Sequence, residues 1–272
     1  MQTMNEVFDR YERECVPKLA PRTRIDYLRH VRILRAAFGE RVPSEVRPRD
    51  VGRFLDVQTG KQHRNKSTAV LSAIFAKCVG RWFVDGCDSN PCQNVERHES
   101  HCRTRYVTDE EFQGVYACAP FAVKLAMDLA LLTGQRQGDL LDMAWVDIHP
   151  THWDLTQGKT GKHLGIKITP ALGAILQRAR ERAPMLPRWY VIRTKTGEPY
   201  THEGFRALWQ RTMGEALRIG AIQQRFTFHD LRAKCASDKA NLQDASALLG
   251  HSDLGLTRRI YDRNTRMVEP LR

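Results

Sequence analysis

Four short segments in the second half of the chain, with one tyrosine beyond them, hold side chains whose types could carry out chemistry together. They are Thr133-Gly134-Gln135-Arg136-Gln137-Gly138-Asp139-Leu140, Gly158-Lys159-Thr160-Gly161, His229-Asp230-Leu231-Arg232 and Leu249-Gly250-His251-Ser252, followed by Tyr261. Arg136 stands between two glycines where a helix begins, a place where a guanidinium and free backbone N–H groups can hold one phosphate together. His229 and Arg232 are three apart and share a face of the helix that carries them. Two arginines, a lysine, two histidines and a tyrosine supply phosphate clamping, proton transfer and a nucleophile, with no carboxylate cluster for a metal. Taken singly, each has an ordinary alternative. Lys159 could be an exposed hairpin lysine, Tyr261 a core tyrosine, and His251 a hydrogen-bonded residue after a helix end at Gly250.

Charge narrows the substrate. The 272 residues carry 43 Lys+Arg against 31 Asp+Glu, a formal charge of +12. The excess is shared, with 18 basic against 13 acidic residues up to Cys102 and 25 against 18 beyond it. An even excess suits a protein that surrounds a polyanion with more than one surface, so nucleic acid is the natural partner. The plain alternative is a basic protein without such a role. A hydrophobic share of 42% is enough for real cores and excludes disorder. No window approaches the roughly 18 apolar residues of a membrane span, and Met1 to Arg13 is too charged for a signal peptide. Seven scattered cysteines do not resemble a secreted disulfide framework. Reduced thiols and a cytoplasmic location are expected.

The elements that must position these groups follow from periodicity and punctuation. Arg22 to Phe38 predicts an amphipathic helix with Ile25, Leu28, Val31 and Leu34 as its buried stripe and Gly39 as its stop. A short helix from Pro48 carries Val51, Phe54 and Leu55 and closes at Gly60, and a third runs from Asn65 to Phe83. Asp85 to Pro91 is a turn-rich breaker, and the polar stretch from Asn94 to Arg105 reads as an exposed linker. Thr108-Asp109-Glu110-Glu111 has the form of a capping box, so a new helix starts there. Phe121 to Leu132 and Gly138 to Met143 follow. Trp145 to Ile148, His152 to Thr156 and Leu164 to Thr169 predict a small antiparallel sheet with a turn at Gln157 to Lys162. Helices return at Ala171–Arg182, Glu203–Ile219, His229–Ala240 and Gln243–Leu249.

On these residues the chain resembles the tyrosine recombinase, or phage integrase, family of site-specific DNA recombinases. The matching marks are TGQRQGDL for the family's first arginine motif, KTGK for its hairpin lysine, HDLR for its His-x-x-Arg motif, LGHS for its second histidine motif, and the tyrosine that follows. Order and spacing match over Tyr106 to Arg263, and the helical N-terminal region resembles the family's core-type DNA-binding domain with weaker motifs. The resemblance implies a mainly α fold with a small antiparallel β-sheet, arranged as a two-domain C-shaped clamp around duplex DNA. Residues 1–98 would be the helical DNA-binding domain, 99–105 the linker and 106–272 the catalytic domain. The chain starts close to its first core-binding helix, which implies a short recombinase without the arm-binding domain of some integrases.

By the same resemblance Tyr261 would attack the scissile phosphate, forming a 3′-phosphotyrosine while a 5′-hydroxyl leaves, with no metal, cofactor or ATP. Arg136 and Arg232 would hold the non-bridging oxygens, Lys159 would protonate the leaving oxygen, His229 would move the tyrosine proton, and His251 would donate to the phosphate. Asp139, one methylene shorter than the family's usual Glu, would brace Arg136 more loosely. Arg22, Arg24, Arg29, Arg32 and Arg35, with His63, Arg64 and Lys66, read as an exposed basic face, which the resemblance turns toward the DNA backbone. Cys87, Cys92, His98, His101 and Cys102 fit the spacing of no zinc module. Four copies on two DNA sites would be the working assembly, from a free monomer or weak oligomer, with accessory DNA-bending or directionality proteins and a place at the nucleoid. By its position the tail Asp262 to Arg272 is expected to pack on a neighbouring copy and gate the tyrosine. The competing readings are a type IB topoisomerase and a DNA-binding regulator with a decayed site. The short chain and the LGHS-to-tyrosine region argue against the first, and the complete set of six residues argues against the second.

Overall fold

The computed structural model describes residues 2–57, 61–99, 103–182, 190–251, 253–261 and 263, with the side chains of Val57, Lys61, Gln62, Arg64, Leu256 and Arg259 left aside. The fold is mainly helical with one two-stranded antiparallel sheet. It divides into two compact units, Met1–His101 and Cys102–Arg272.

The first unit holds α1 (Met4–Glu14), α2 (Pro21–Phe38), α3 (Pro48–Val57) and α4 (Lys61–Lys77). Helix α1 was not anticipated, although Met4, Val7, Phe8 and Tyr11 stand at i, i+3, i+4 and i+7 and are all buried. Helix α2 ends where expected but faces another way. Its buried residues are His30, Val31, Leu34 and Phe38, whereas Ile25 is 63% and Leu28 38% exposed. A strict spacing of three falls behind a helix of 3.6 residues per turn by about 60° at each step. The three steps from Ile25 to Leu34 add up to about 180°, which carries the row from the solvent face to the core face. The third expected helix is shorter than predicted and gives way to a π turn over Cys78–Trp82, closed by Phe83 at φ 48.

In the second unit, Thr108 and Glu111 form the expected capping box at the start of α5 (Asp109–Cys118). Helix α6 (Phe121–Thr133) is apolar on nearly every side, as a central helix must be, and stops at Gly134 in the left-handed conformation. Then come α7 (Gln137–Leu141), strands β1 (His152–Thr156) and β2 (His163–Lys167), α8 (Pro170–Glu181), α9 (His202–Arg218), α10 (Phe228–Ser237), α11 (Leu242–Leu249) and α12 (Leu254–Tyr261). The strands pair with Trp153 opposite Ile166 and Leu155 opposite Leu164. Trp145 to Ile148 is not a strand. It is a 3-10 turn at a corner, where Ala144 bridges to Tyr190 and Ile148 to Trp153, so neighbouring residues find different partners. Helix α12 carries Tyr261 and was also not anticipated. It packs on Ala233, Ala236, Ala245 and Leu249 in a small apolar cluster of its own.

Candidate active site

The sequence brings α10 to the centre of the second unit, where Leu231 is fully buried and Phe228 packs on Phe205 and Trp209. Its first turn is fixed by a capping box between Thr227 and Asp230. Arg232 is therefore carried inward to 1% exposure. Its guanidinium donates to the carbonyl of Gly134 and, at 2.8 Å, to that of Leu249, which end helices α6 and α11. These are two of the carbonyls a helix end leaves without partners. A side chain held between two such ends has little freedom left.

Around Arg232 the structure gathers four of the six expected residues and leaves a fifth at the edge. Its Cζ lies 5.5 Å from the ring centre of Tyr261, and Nη2 is 3.1 Å from Nε2 of His251. A guanidinium can only donate, so His251 accepts through Nε2 and turns an Nδ1–H toward the Thr257 hydroxyl 2.8 Å away. The Tyr261 hydroxyl is 3.5 Å from Nε2 of His229, and its ring stands 5.0 Å from that of His251. Arg136, at the start of α7, has a buried Nη1 with no hydrogen-bond partner among the described residues, 3.8 Å from the equally unpartnered Oδ2 of Asp139. That separation is too long for a hydrogen bond, in keeping with the short reach of an aspartate. Lys159 is exposed on the β1–β2 turn and, among the described residues, makes no hydrogen bond or ion pair.

Both imidazoles are poor bases here. His229 keeps a solvent-facing edge, yet its pKa is pushed down to about 4, first by the loss of water around the ring and then by Arg232, with Arg263 and Arg136 adding to it. His251 falls to about 4 for the same reasons, desolvation first and then Arg232, Arg136 and Lys162. Near neutral pH both are neutral, and the surplus of positive charge calls for an anion. An imidazole kept neutral by the fold gives stability that is complete above its ordinary value of 6.5 and is lost as pH falls toward 4. Thermal unfolding followed from pH 7 to pH 4 should therefore show stability falling in that window. The fall should be shallower in His251→Gln.

Two glutamines that hold the site together, Gln157 and Gln135, were missed. Gln157 is fully buried, donating from Nε2 to Gln135 Oε1 at 2.8 Å and to the Leu249 carbonyl at 3.0 Å. Asp139 Oδ1 accepts from the Gly158 N–H at 2.9 Å. The base of the lysine turn is thus tied to α7 and α11. A glutamine in a polar turn gives no sign in sequence that it will be buried. Truncation to Ala leaves a buried acceptor on Gln135, so Gln157→Ala should cost about 1–3 kcal/mol in denaturant unfolding and speed amide exchange across residues 157–162.

The basic residues of the first unit are only partly free for a ligand. Arg24 donates to the Leu19 carbonyl, Arg29 pairs with Asp26, and Arg35 pairs with Asp9 and Glu12 inside the unit. Arg32 and Lys66 are exposed, as is Arg22, which is itself engaged by a neighbouring group, while His63 stacks on the buried His30. The Arg64 side chain, His101, Cys102 and the tail, apart from Arg263, lie outside the described residues. Cys87 and Cys92 belong to the apolar core, where burial raises both thiols, Cys92 to about 12. Protonated core thiols are poor zinc ligands. Among the described residues the one group with metal-ligand spacing is His149, His152 and Asp154 on an open face, whose carboxylate already pairs with both imidazoles.

Residues 107–267 match the phage integrase family. The chain belongs to that family. It is a site-specific recombinase, an enzyme that cuts and rejoins DNA. The integrase of Escherichia phage HK022 is 27% identical over 96% of this chain and 76% of its own. That of Escherichia phage lambda is 25% identical over 92% of this chain and 73% of its own. A lambda integrase dimer bound to a COC′ core site superposes with a TM-score of 0.82 at 21% identity, covering 100% of this chain and 99% of the other. The Tn1549 transposon integrase in complex with circular intermediate DNA gives 0.77 at 14% identity, over 97% of each chain. The fold of this integrase-family chain is thus shared across relatives whose sequences have largely diverged.

Proposed function

We propose that the chain exchanges strands between two DNA sites through a covalent 3′-phosphotyrosine on Tyr261, integrating or excising a mobile element. The observation that carries this is the Tyr261 hydroxyl beside neutral His229, above a buried guanidinium that two helix ends hold in place. The tyrosine oxygen attacks phosphorus as its proton passes to His229, and the bond to the 5′-oxygen breaks. Lys159 gives that oxygen a proton. The phosphoryl group stays activated on Tyr261, so a 5′-hydroxyl from the partner duplex can reverse the step and expel the tyrosine.

Arg232 and Arg136 meet the two non-bridging oxygens, and their charges are fixed before the transition state forms, which is where such donors act most strongly. Phosphate entry offsets the cationic field, raising the basicity of His229 when it is needed. It also competes for the Arg232 N–H that His251 accepts in the free protein, so His251 can take a proton and become a donor. The unit Met1–His101 is the DNA-gripping domain in this proposal, with Arg32 and Lys66 on backbone phosphates, and the unit Cys102–Arg272 is the catalytic one. Four copies on two sites form the assembly, as the lambda integrase tetramer does on a Holliday junction. No helix among the described residues is long and apolar enough to cross a membrane, and we place the protein in the cytoplasm on DNA.

The test pairs two labelled duplexes taken from DNA flanking the gene. Recombinant junctions of exchanged length support strand exchange. Supercoil relaxation without exchanged ends would point to topoisomerase chemistry, and selective binding without strand breakage would overturn the enzymatic reading.

A further inference from the structure

Helix α12 is eight residues long, and its described apolar contacts are mainly alanines, so the seam holding it to the unit is thin. A helix this short is marginal by itself. Its last residue is nevertheless the one that must be placed best. Beyond Tyr261 the chain makes a set of polar contacts that the proposed chemistry does not use. The Arg263 side chain is 4% exposed and its Nη1 lies 2.7 Å from Oδ1 of Asp230, itself 2% exposed. The same Nη1 donates to the Arg105 carbonyl at 3.0 Å, and Nε to the Ile260 carbonyl at 3.0 Å. Ser237 donates to the Tyr261 carbonyl at 2.5 Å and accepts from the Arg263 N–H at 2.9 Å. The Tyr261 carbonyl is thereby satisfied by Ser237 at the end of α10 and the Ile260 carbonyl by Arg263, which is itself anchored on Asp230 in the first turn of α10.

We propose that Arg263 is a positioning residue for Tyr261, clamping the end of α12 to α10 so that the tyrosine of each copy is presented to its own His229 and Arg232. Asp230, the residue after His229, is the anchor, and its place is fixed independently of Arg263. It also accepts from the Thr227 N–H and hydroxyl and pairs with Arg103. Burial opposes the charge of Asp230, but these bonds outweigh it and hold the carboxyl below its usual range. The clamp therefore joins a rigid point on α10 to a helix whose other described contacts are the alanine-rich seam, the Thr257 hydroxyl on His251 and the Tyr261 ring over Arg232. This inference rests on Tyr261 being the nucleophile, and the assay must separate the two ideas.

The variants are Arg263→Ala and Arg263→Lys in the full chain, which leave Asp230 and its cap intact. Single-turnover adduct formation on a nicked suicide duplex should slow by about 10- to 100-fold in Arg263→Ala, the cost of displacing a reacting group by roughly 1 Å. DNA binding by gel shift should stay within about twofold of wild type, because the clamp faces the protein interior. Arg263→Lys keeps the ion pair but not the fork of donors, so it should recover part of the rate. Guanidinium ion far below denaturing concentration should restore Arg263→Ala further. A merely structural lesion would not respond to the added ion. Amide exchange over residues 254–263 supplies a second readout that needs no catalysis. It should rise in Arg263→Ala while exchange in α6 and α9 is unchanged. A wild-type adduct rate in Arg263→Ala, or unchanged exchange over α12, would overturn the clamp. A wild type that forms no adduct while Arg263→Ala still loosens α12 would instead overturn the nucleophile assignment.

Discussion

Tyr261→Phe is expected to bind DNA as wild type does and to form no covalent adduct on a nicked suicide duplex read by denaturing gel. The substitution removes one oxygen and leaves a ring that is 7% exposed, packed beside His251 and over Arg232. The hydroxyl has a long contact to His229 at 3.5 Å and also interacts with the Arg232 guanidinium, so its loss should change stability by about 1 kcal/mol. Other tyrosines offer no ready substitute. Tyr106 donates to Asp238 and accepts from Lys234, and Tyr116 donates to Asp128. Burial pushes Tyr11 up to about 12. An adduct that survives in Tyr261→Phe would mean that a different side chain attacks.

The second large effect is expected at Arg232. Lysine keeps the charge but cannot place two N–H groups on the carbonyls of Gly134 and Leu249 while turning a third toward a phosphate. Loss of one preorganised donor to a transition-state oxygen costs on the order of 10²–10³ in rate. Arg232→Lys should therefore cut single-turnover cleavage by at least about 100-fold. It should also lower unfolding stability by about 1–3 kcal/mol, because the buried Gly134 carbonyl is left without a donor while that of Leu249 keeps Gln157. Arg136→Lys makes a useful contrast. Its Nη1 has no hydrogen-bond partner among the described residues of the free protein, so rate should fall there with little change in stability. Equal stability losses at the two sites would mean that Arg232 is not the structural keystone its burial suggests.

Much of the site was legible because its residues lie in short runs that also mark structure. Gly134 ends α6, Thr227 starts α10 and Gly250 ends α11, so the same letters that bound helices place Arg136, Arg232 and His251. What was not legible depends on distant partners. Gln157 and Gln135 look like turn polars until α11 arrives above them, and Arg263 looks like tail until Asp230 is seen beneath it. In the fold, the stripe on α2 failed because a spacing of three was taken for the helical period. Helix α1 failed differently, since its apolar residues do follow that period but sit among charges.

The tether at the base of the lysine turn also sets a clock. Gly158 is held by Asp139, the Gly161 N–H returns to the Gln157 carbonyl, and the Gln157 N–H closes the pair to Lys162. With its backbone closed on both sides, Lys159 can reach a phosphate only by turning its own four-carbon stem. Exposed side chains rotate within nanoseconds, whereas loops and domains rearrange over microseconds to milliseconds. In the proposed role of Lys159, bringing the ammonium to the leaving oxygen then needs no slow loop rearrangement.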